Sequence, residues 1–318
     1  MTFDRAVVAG GAGFIGSHLT DYLLDKNIEV TVLDNLSTGS ESNLGNSHTN
    51  LRIVKVDVCD QKQIEPFIRQ ADIVFDLAAC VGVEITTRLP VEVLNNNIES
   101  TKSIIGASLD SNVKKIVFAS SSEVYGDSMI SPLTEYLPLS PISHYAVSKI
   151  VGESYLKAFW EKYRLESSII RYFNVYGPRQ GIIPLSYVVP SFIYHALHQE
   201  PLKIYGSGKQ TRDYIYISDA VEGTYLVAES GKGQATPYNI STNIETSLMD
   251  LAKFVCNTIG NECKISNIEK RKFDISRRCG DFSKAQREVG YLPKIQLKEG
   301  LRRTVEYYRN LLGSMAIA

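Results

Sequence analysis

Short and nearly continuous apolar segments recur through the first half of the chain, separated by stretches with helical periodicity. The predicted strands are Arg5–Ala9, Glu29–Leu33, Leu51–Lys55, Ile73–Leu77, Lys115–Ala119 and Ser168–Tyr172. Strands of this kind are buried on both faces, which indicates a parallel sheet covered by helices. The alternation of strand and helix therefore predicts an α/β fold with a doubly wound parallel sheet.

The pattern becomes less regular after Asn174, where glycine and proline are frequent. Helices are predicted at Val189–His198, Ser218–Glu229, Ser247–Ile259 and Leu297–Leu312. We expect residues 1–175 to form the sheet domain, with 212–235 returning to it. Residues 176–211 and 236–318 are predicted to form a smaller C-terminal α/β lobe that binds substrate.

A glycine-rich loop follows the first predicted strand, with Gly10, Gly13 and Gly16 in the run Gly-Gly-Ala-Gly-Phe-Ile-Gly. Glycines at these positions permit a tight turn, close approach of the backbone to a pyrophosphate, and close packing of helix on strand. A helix is predicted over Ser17–Lys26, and the amides at its start face the negative charge. Phe14 and Ile15, in the loop before it, belong to the predicted cofactor site. The order of strand, loop and helix predicts a Rossmann-type dinucleotide site.

Asp34 ends the second predicted strand, about 20 residues downstream, where a carboxylate accepts hydrogen bonds from the adenosine ribose. It would repel a 2′-phosphate, which favours NAD over NADP; a solvated strand-end aspartate is the alternative. The predicted cofactor site also includes Asn35, Asp57, Val58, Leu77, Ala78 and Ala79.

Tyr145 and Lys149 are four residues apart at the start of a predicted helix and share one face of it. A neighbouring ammonium and a cationic nicotinamide would favour the phenolate and bring the pKa of the tyrosine toward working pH. Such pairs also arise by chance. Here, however, the serine-rich run 120–126 follows a predicted strand at the carboxyl edge of the sheet, where such folds bind ligands.

Composition excludes several other classes of protein. Among 318 residues, 34 Lys and Arg nearly balance 35 Asp and Glu, so nothing favours a nucleic-acid or membrane partner. No signal peptide or membrane span is apparent, and cytoplasm is the expected location. The five scattered cysteines are expected to be free thiols, without metal-ligand spacing.

Taken together, the motifs resemble those of the extended short-chain dehydrogenase/reductase family, specifically its NAD-dependent nucleotide-sugar epimerases and dehydratases, with UDP-glucose 4-epimerase the nearest type. The matching runs are GGAGFIGSH (10–18), SSSEVYGD (120–127), YAVSK (145–149), RYFNVYGPRQ (171–180), IYGSGKQTRDYIYISD (204–219) and GDFSKA (280–285). The resemblance implies that Tyr145 accepts a proton from the sugar hydroxyl and that Ser121 hydrogen-bonds this hydroxyl. It also implies that Lys149 tunes the tyrosine and binds the nicotinamide ribose.

The same resemblance implies a nucleotide-sugar pocket, with a UDP-sugar favoured by family frequency, and no metal. Its residues are expected to be Ser121, Ser122, Glu123, Asn174, Val189, Tyr205, Arg212 and Arg271. Arg212 would touch the diphosphate, and Tyr205 would line the base pocket or belong to the core. A homodimer is expected, formed partly through the helix 145–163, which is apolar around much of its circumference.

Two residues depart from the family pattern. Asp76 stands where relatives commonly have histidine, and we interpret this change as neutral. His144 stands where relatives usually have proline before the tyrosine, and we expect it to begin the helix at the edge of the pocket.

The reaction implied first is C4 epimerisation through a 4-keto intermediate. Glu123 favours an alternative, because 4,6-dehydratases and UDP-glucuronate decarboxylases carry Glu in similar runs, and a carboxylate there would take the C5 proton in a dehydratase. A non-catalytic NAD-binding protein is a remote alternative, since such proteins typically lose Tyr145 or Lys149, and both are present.

Overall fold

The computed structural model describes residues 2–45, 48–181, 187–260, 262–269 and 275–315. The strands are β1 (Arg5–Ala9), β2 (Glu29–Asp34), β3 (Leu51–Lys55), β4 (Ile73–Asp76), β5 (Lys115–Ser121), β6 (Ser167–Tyr172), β7 (Asn174–Tyr176), β8 (Leu202–Tyr205), β9 (Thr211–Tyr216), β10 (Gln234–Ile240), β11 (Glu245–Ser247) and β12 (Ile265–Ile268). The helices are α1 (Phe14–Asp25), α2 (Gln61–Ile68), α3 (Val83–Arg88), α4 (Pro90–Leu109), α5 (His144–Tyr163), α6 (Val188–Leu197), α7 (Ile217–Glu229), α8 (Leu248–Ile259), α9 (Ser283–Val289) and α10 (Leu297–Met315).

Seven strands form one parallel sheet in the spatial order β10, β6, β5, β4, β1, β2, β3. The chain runs outward from β1 in one direction, and from β4 in the other. This reversal places a crevice at the carboxyl ends of β1 and β4, where open α/β sheets bind ligands. The predicted doubly wound α/β fold is confirmed, and the six predicted strands are found within one or two residues of their expected bounds.

Helices cover both faces of this sheet, because successive residues of each strand point to opposite sides. Val8 packs in the cluster that includes α1 and α7, whereas Val7 packs in the cluster that includes α2, α4 and α5. In β4, Val74 lies on the side of α4 and α5, and Phe75 lies on the other side. The side chain of the next residue, Asp76, therefore returns to the α4 and α5 side.

Two predicted boundaries differ from the observed sheets. The boundary at residue 235 falls inside β10, which belongs to the large sheet through Ile240. Residues 212–216 lie instead in β9, which pairs with β7 and β11 in a separate three-stranded sheet. Pro237 in β10 explains the first difference, since proline weakens a strand prediction but is tolerated at a sheet edge. The substrate-binding role of the remaining residues stays a prediction.

The expectation of five free thiols was wrong. Cys256 and Cys263 form a disulfide, because α8 ends at Gly260 in a left-handed conformation and the chain turns back, bringing their Cα atoms to 5.7 Å. Cys59, Cys80 and Cys279 are free. Within the residues described, no helix is both long and apolar enough to span a membrane.

Candidate active site

The glycine-rich loop runs across the end of β4. Gly10 has a φ of +76°, and a Cβ added to it would lie 2.9 Å from backbone atoms of Leu77 and Ala78. A Cβ on Gly16 would overlap the carbonyl oxygen of Gly10, so helix α1 can lie close to the loop only with glycine there. The structure thus brings Leu77 and Ala78 to the loop, as the sequence predicted.

Helix α1 presents an uncapped N-terminus beside this loop. Gly13 is its N-cap and offers no side-chain acceptor, and the first bond of the helix runs from the Ser17 amide to the Gly13 carbonyl at 3.0 Å. The earlier amides, including those of Phe14 and Ile15, are therefore available to an anion. The glycine cradle and the uncapped helix end fit the pyrophosphate of a dinucleotide such as NAD.

Asp34 hydrogen-bonds the glycine-rich loop and the loop that follows β2. Its Oδ2 accepts a 3.0 Å hydrogen bond from the Ala12 amide, and its Oδ1 accepts a 2.8 Å bond from the Leu36 amide. A carboxylate has about four acceptor positions, so a ribose hydroxyl could still bind. The neighbouring Asn35 is exposed and accepts from the Ser37 amide.

The other predicted cofactor residues lie along the same edge of the sheet. Asp57 is exposed after β3 and accepts a 3.0 Å bond from the Cys59 amide, while Val58 beside it is buried. Ala79 is half-buried and continues the loop that follows β4.

Ser121 ends β5, and a short 3₁₀ helix over Ser122–Tyr125 follows it directly. The Ser121 hydroxyl accepts a 3.1 Å bond from the Glu123 amide, while Ser122 is buried. Ser143 caps α5 by accepting from the Ala146 amide, and its hydroxyl donates to Glu123 Oε2 at 2.8 Å. Ser143 therefore holds the Glu123 carboxylate next to the start of α5.

Tyr145 stands in the first turn of α5, next to these groups, and His144 begins the helix as expected. Burial of the phenol raises the pKa of Tyr145 well above its usual value. The nearby Glu123 and Tyr187 raise this pKa further, and a hydrogen bond with Ser121 opposes the rise. A base at this position therefore needs additional positive charge to reach its phenolate form.

Lys149 lies one turn further along α5 and is only 3% exposed. Its Nζ lies 4.9 Å from the ring centroid of Phe118 and 5.7 Å from that of Tyr145. Among the described residues, no hydrogen bond or close ion pair reaches this ammonium. Burial lowers the pKa of Lys149 to about 8, and the charges of Asp76 and Cys80 oppose the decrease.

Asp76 is the second charged group buried beside the predicted catalytic residues. It is 1% exposed, and its Oδ2 accepts a 3.1 Å bond from the Thr101 hydroxyl of α4. Its Oδ1 has no hydrogen bond of good geometry in the part of the chain that is described. Burial raises the pKa of Asp76 to about 6, against the opposing effects of Lys149, Thr101 and the Ala78 amide.

The predicted substrate residues are more dispersed. Asn174 begins β7, and its Oδ1 is buried with no hydrogen-bond partner in the described structure. Arg212, in β9, donates from one guanidinium nitrogen to the carbonyls of Thr211 and Ile275, both at 2.8 Å. These contacts fix the direction of the Arg212 side chain.

Three predicted substrate residues remain, of which the structure describes Val189 and Tyr205. Val189 is 2% exposed and packs in the apolar core with α6. Tyr205 is 37% exposed and ends β8 in the two-stranded sheet. Arg271 lies outside the described residues.

Sequence reasoning missed several residues that support the site. The buried Asn97 of α4 accepts from the Cys80 amide at 2.7 Å and donates to the Cys80 carbonyl and to Ser148 Oγ, both at 3.2 Å. No helix was predicted over α4 from the sequence, so the signal was not used: an asparagine inside a helix is unfavourable unless its amide is hydrogen-bonded. Within the described ranges, no group of three or more His, Cys, Asp or Glu side chains could hold a metal ion.

Comparisons with known proteins agree with this geometry. Residues 6–241 match the family model described as the NAD dependent epimerase/dehydratase family. A UDP-N-acetyl-alpha-D-glucosaminuronate decarboxylase from Bacillus cytotoxicus is 34% identical over 96% of this chain and 98% of its own length.

Two solved structures are similar along nearly the whole chain. The UDP-glucose 4-epimerase of Thermotoga maritima with UDP-glucose is 35% identical, covers 97% of this chain and 99% of that one, and gives a TM-score of 0.92. The UDP-N-acetylglucosamine 4-epimerase of Methanobrevibacter ruminantium with UDP-N-acetylmuramic acid is 36% identical, covers 98% and 100%, and gives 0.93. The cofactor expected from the glycine-rich loop is confirmed as NAD, and the chain belongs to the NAD dependent epimerase/dehydratase family.

Proposed function

We propose that this enzyme epimerises a nucleotide sugar, most favourably a UDP-hexose or its derivative, at C4 through a 4-keto intermediate. The observation that carries the proposal is the meeting of Ser121, Tyr145 and Lys149 at the carboxyl edge of the sheet. This meeting point lies beside a loop and helix end that fit NAD.

In the proposed mechanism, Ser121 binds the C4 hydroxyl and Tyr145 accepts its proton as the C4–O bond becomes a carbonyl. NAD, which the glycine-rich loop and the N-terminus of α1 would hold, would supply the hydride-transfer chemistry for oxidation at C4 and for reduction from the opposite face of the ketone. Burial and the Glu123 charge disfavour the phenolate of Tyr145. In the proposal, the Lys149 ammonium, 5.7 Å from the centroid of the Tyr145 ring, offsets both effects. Tyr145 then returns the proton to the C4 oxygen, so protons and electrons balance over the cycle.

A second candidate is a reaction at C5 of the 4-keto intermediate, as in 4,6-dehydration or in decarboxylation of a uronate. The Glu123 carboxylate favours it, because this group acts electrostatically on Tyr145 and so lies near the reacting oxygen. The decarboxylase relative from Bacillus cytotoxicus gives this candidate additional weight. If the reaction is C4 epimerisation, Glu123 serves only to accept the hydrogen bond from Ser143.

We assign the nucleotide end of the substrate to the side of the crevice formed by β7, β8 and β9. Arg212 is proposed to contact the diphosphate, because its planar guanidinium is held in place by two carbonyls and can bind phosphate oxygens. Asn174 and Tyr205 are proposed as further contacts of the sugar and of the base, respectively.

The enzyme is also proposed to be a homodimer formed through α4 and α5. Several apolar side chains at these helices lie at the surface: Leu89, just before α4 (45% exposed), Val91 (62%), Val147 (37%) and Tyr163 (48%). Light scattering of the NAD-loaded enzyme at micromolar concentration tests this; a monomeric mass contradicts it. A cytoplasmic location is proposed because three of the five cysteines are free thiols, and recovery of the enzyme in a fraction from outside the cytoplasm would contradict it.

To decide between the reactions, the purified enzyme is incubated with NAD and with UDP-glucose, UDP-N-acetylglucosamine, UDP-glucuronate, dTDP-glucose or GDP-mannose. NMR and mass spectrometry then identify the products. An isomer of unchanged mass supports epimerisation, and Glu123→Gln then retains turnover within a few fold. Loss of water or carbon dioxide overturns the first candidate, and Glu123→Gln is then expected to lose about 10²–10⁴-fold. In either case Tyr145→Phe is the inactive control.

A further inference from the structure

Asp76 is a buried carboxylate that the proposed mechanism does not use. It ends β4, and its backbone is in register with Ala9 of β1 and Phe118 of β5. Its side chain lies on the face of the sheet covered by α4 and α5, since Val74, two residues earlier, packs there. The bond from Thr101 of α4 confirms this direction.

Lys149 approaches the same place from α5. Helix α5 packs closely on the sheet at Gly152, where a Cβ would lie 2.5 Å from the ring of Phe118. One turn earlier, the Lys149 ammonium lies over that same ring. Phe118 and Asp76 are lateral neighbours on one face of the sheet, so the ammonium and the carboxylate lie close together without forming a direct ion pair.

The remaining charged and titratable groups around Lys149 leave Asp76 as its main anionic neighbour. On α5, Glu153 is fully engaged by Arg171 and Ser120. Glu123 and Tyr187 act on Tyr145 instead. Cys80, after β4, is a weaker second influence on the lysine.

We propose that Asp76 is a positioning residue of the active site: its carboxylate keeps the buried Lys149 ammonium charged and holds it beside Tyr145. A buried lysine with no hydrogen-bond partner tends to lose its proton, and a carboxylate on the same face of the sheet opposes this loss. Under this proposal the aspartate that stands where relatives commonly have histidine affects the charge of Lys149, which differs from the neutral interpretation drawn from the sequence. The catalytic part of this inference rests on the proposed function.

The first test measures Lys149 directly, without turnover. The protein is labelled with [ε-¹³C]lysine, the Lys149 signal is identified by its loss in Lys149→Arg, and its titration is followed by NMR with NAD bound. In Asp76→Asn, which keeps the shape of the side chain, the midpoint of the Lys149 titration is expected to lie about one pH unit lower than in the wild type. The alkaline limb of the kcat/KM profile is expected to move by the same amount.

Asp72→Asn is the matched control. Asp72 precedes β4 at its opposite end and is bonded to the Asp4 and Arg5 amides, so the variant removes the same charge away from the site. The inference is overturned if Asp76→Asn leaves the Lys149 titration unchanged, or if Asp72→Asn moves it equally.

The coupling must also act in reverse, which gives a test that does not depend on the folding of Asp76→Asn. In Lys149→Met, the carboxyl signal of ¹³C-labelled Asp76 is expected to titrate at higher pH than in the wild type, and an unchanged titration overturns the inference. If these shifts occur but the wild-type enzyme converts no nucleotide sugar, the proposed function fails and the effect of Asp76 on the lysine stands.

Discussion

Helix α5 carries two buried acid–base pairs one turn apart, and their surroundings are opposite in kind. Arg171 binds Glu153 through two hydrogen bonds of 3.0 and 2.7 Å, and both side chains are only 2% exposed. Lys149 and Asp76 are buried to the same degree, but they make no direct bond in the described structure.

The Arg171 pair is enclosed by further partners. Ser120 donates to Glu153 at 2.7 Å, and Arg171 donates to the Tyr125 hydroxyl at 3.0 Å. Tyr125 in turn donates to Asn239 of β10 at 2.7 Å. This network ties α5 to β5, β6 and β10, so its charges are satisfied whether or not a ligand is bound.

The Lys149 and Asp76 pair keeps an unbonded ammonium and an unbonded carboxylate oxygen at the edge where NAD and substrate are expected. Leaving buried charges incompletely satisfied costs stability, and groups with strongly shifted pKa values are concentrated at functional sites. One helix thus carries a fully hydrogen-bonded ion pair, which attaches it to the sheet, and an incompletely bonded pair, for which we propose a catalytic role.

The largest loss of stability is expected when the ion pair of Arg171 and Glu153 is broken. Arg171→Met leaves the Glu153 carboxylate buried without its cation, and the free energy of unfolding should fall by about 3–5 kcal/mol in urea titrations. Arg179→Met is the control, since its ion pair with Asp21 is partly exposed and should contribute less than about 1 kcal/mol. Equal losses in the two variants would contradict the structural role of the Arg171 network.

Substitution in the Lys149 and Asp76 pair should instead reduce activity strongly and stability little. Lys149→Met is expected to reduce kcat at least about 100-fold while changing the free energy of unfolding by less than about 1 kcal/mol. Lys115→Met is the matched control, because that buried lysine donates to the carbonyls of Val227 and Ser230 at the end of α7. It should lose about 2–3 kcal/mol of stability. A Lys149→Met variant as unstable as Lys115→Met would remove the distinction between the pairs.

The Lys149 and Asp76 pair should also be visible in the pH dependence of stability. Asp76 titrates near 6 in the folded state instead of near 3.8. The folded state therefore binds more protons than the unfolded state between these pH values, and its stability falls as pH rises. Lys149 titrates near 8 instead of 10.5, so the folded state binds fewer protons than the unfolded state in that range and stability rises with pH.

The wild type should therefore be least stable, relative to the Asp76→Asn/Lys149→Met double variant, between pH of about 6 and 8. The expected minimum is on the order of 1–3 kcal/mol deep. Urea unfolding of both proteins from acidic to alkaline pH measures this minimum. A difference in the free energy of unfolding that does not vary with pH would contradict the shifted pKa values of Asp76 and Lys149. The same Lys149 pKa predicts that kcat/KM declines as pH rises through about 8.

The smallest effect is expected from Thr101→Val. It removes the hydroxyl that donates to Asp76 Oδ2, so the carboxyl should titrate at higher pH and stability should fall by about 1 kcal/mol. Thr304→Val is the control, because its hydroxyl donates to the Gly300 carbonyl of its own helix. No change in the Asp76 titration would show that Thr101 does not hold the carboxylate.

Much of the fold followed from local pattern. Buried parallel strands such as β1 and β5 are continuous apolar runs, and the glycine-rich loop specifies its own turn. The edge strand β10 was missed because Pro237 interrupts its pattern, and the Cys256–Cys263 bond depends on how α8 ends. Those features are set by position in the sheet or by a turn and not by periodicity.

In the candidate site, too, some features follow from local sequence pattern and others only from tertiary structure. Tyr145 and Lys149 were visible because four-residue spacing places them on one helical face. The effect of Asp76 on Lys149 joins residues 73 positions apart, which come together because α5 packs on β5 and β5 pairs with β4. The sequence identified Asp76 as unusual, but its consequence required the sheet register.

Asp34 sets a condition on any attempt to change the cofactor. The carboxylate that is expected to reject a 2′-phosphate also holds the Ala12 and Leu36 amides. A designer who substitutes it with a small or basic residue to admit NADP would release both loops at once. Conversion of cofactor preference in this scaffold therefore requires new acceptors for those two amides before, and not after, the charge is changed.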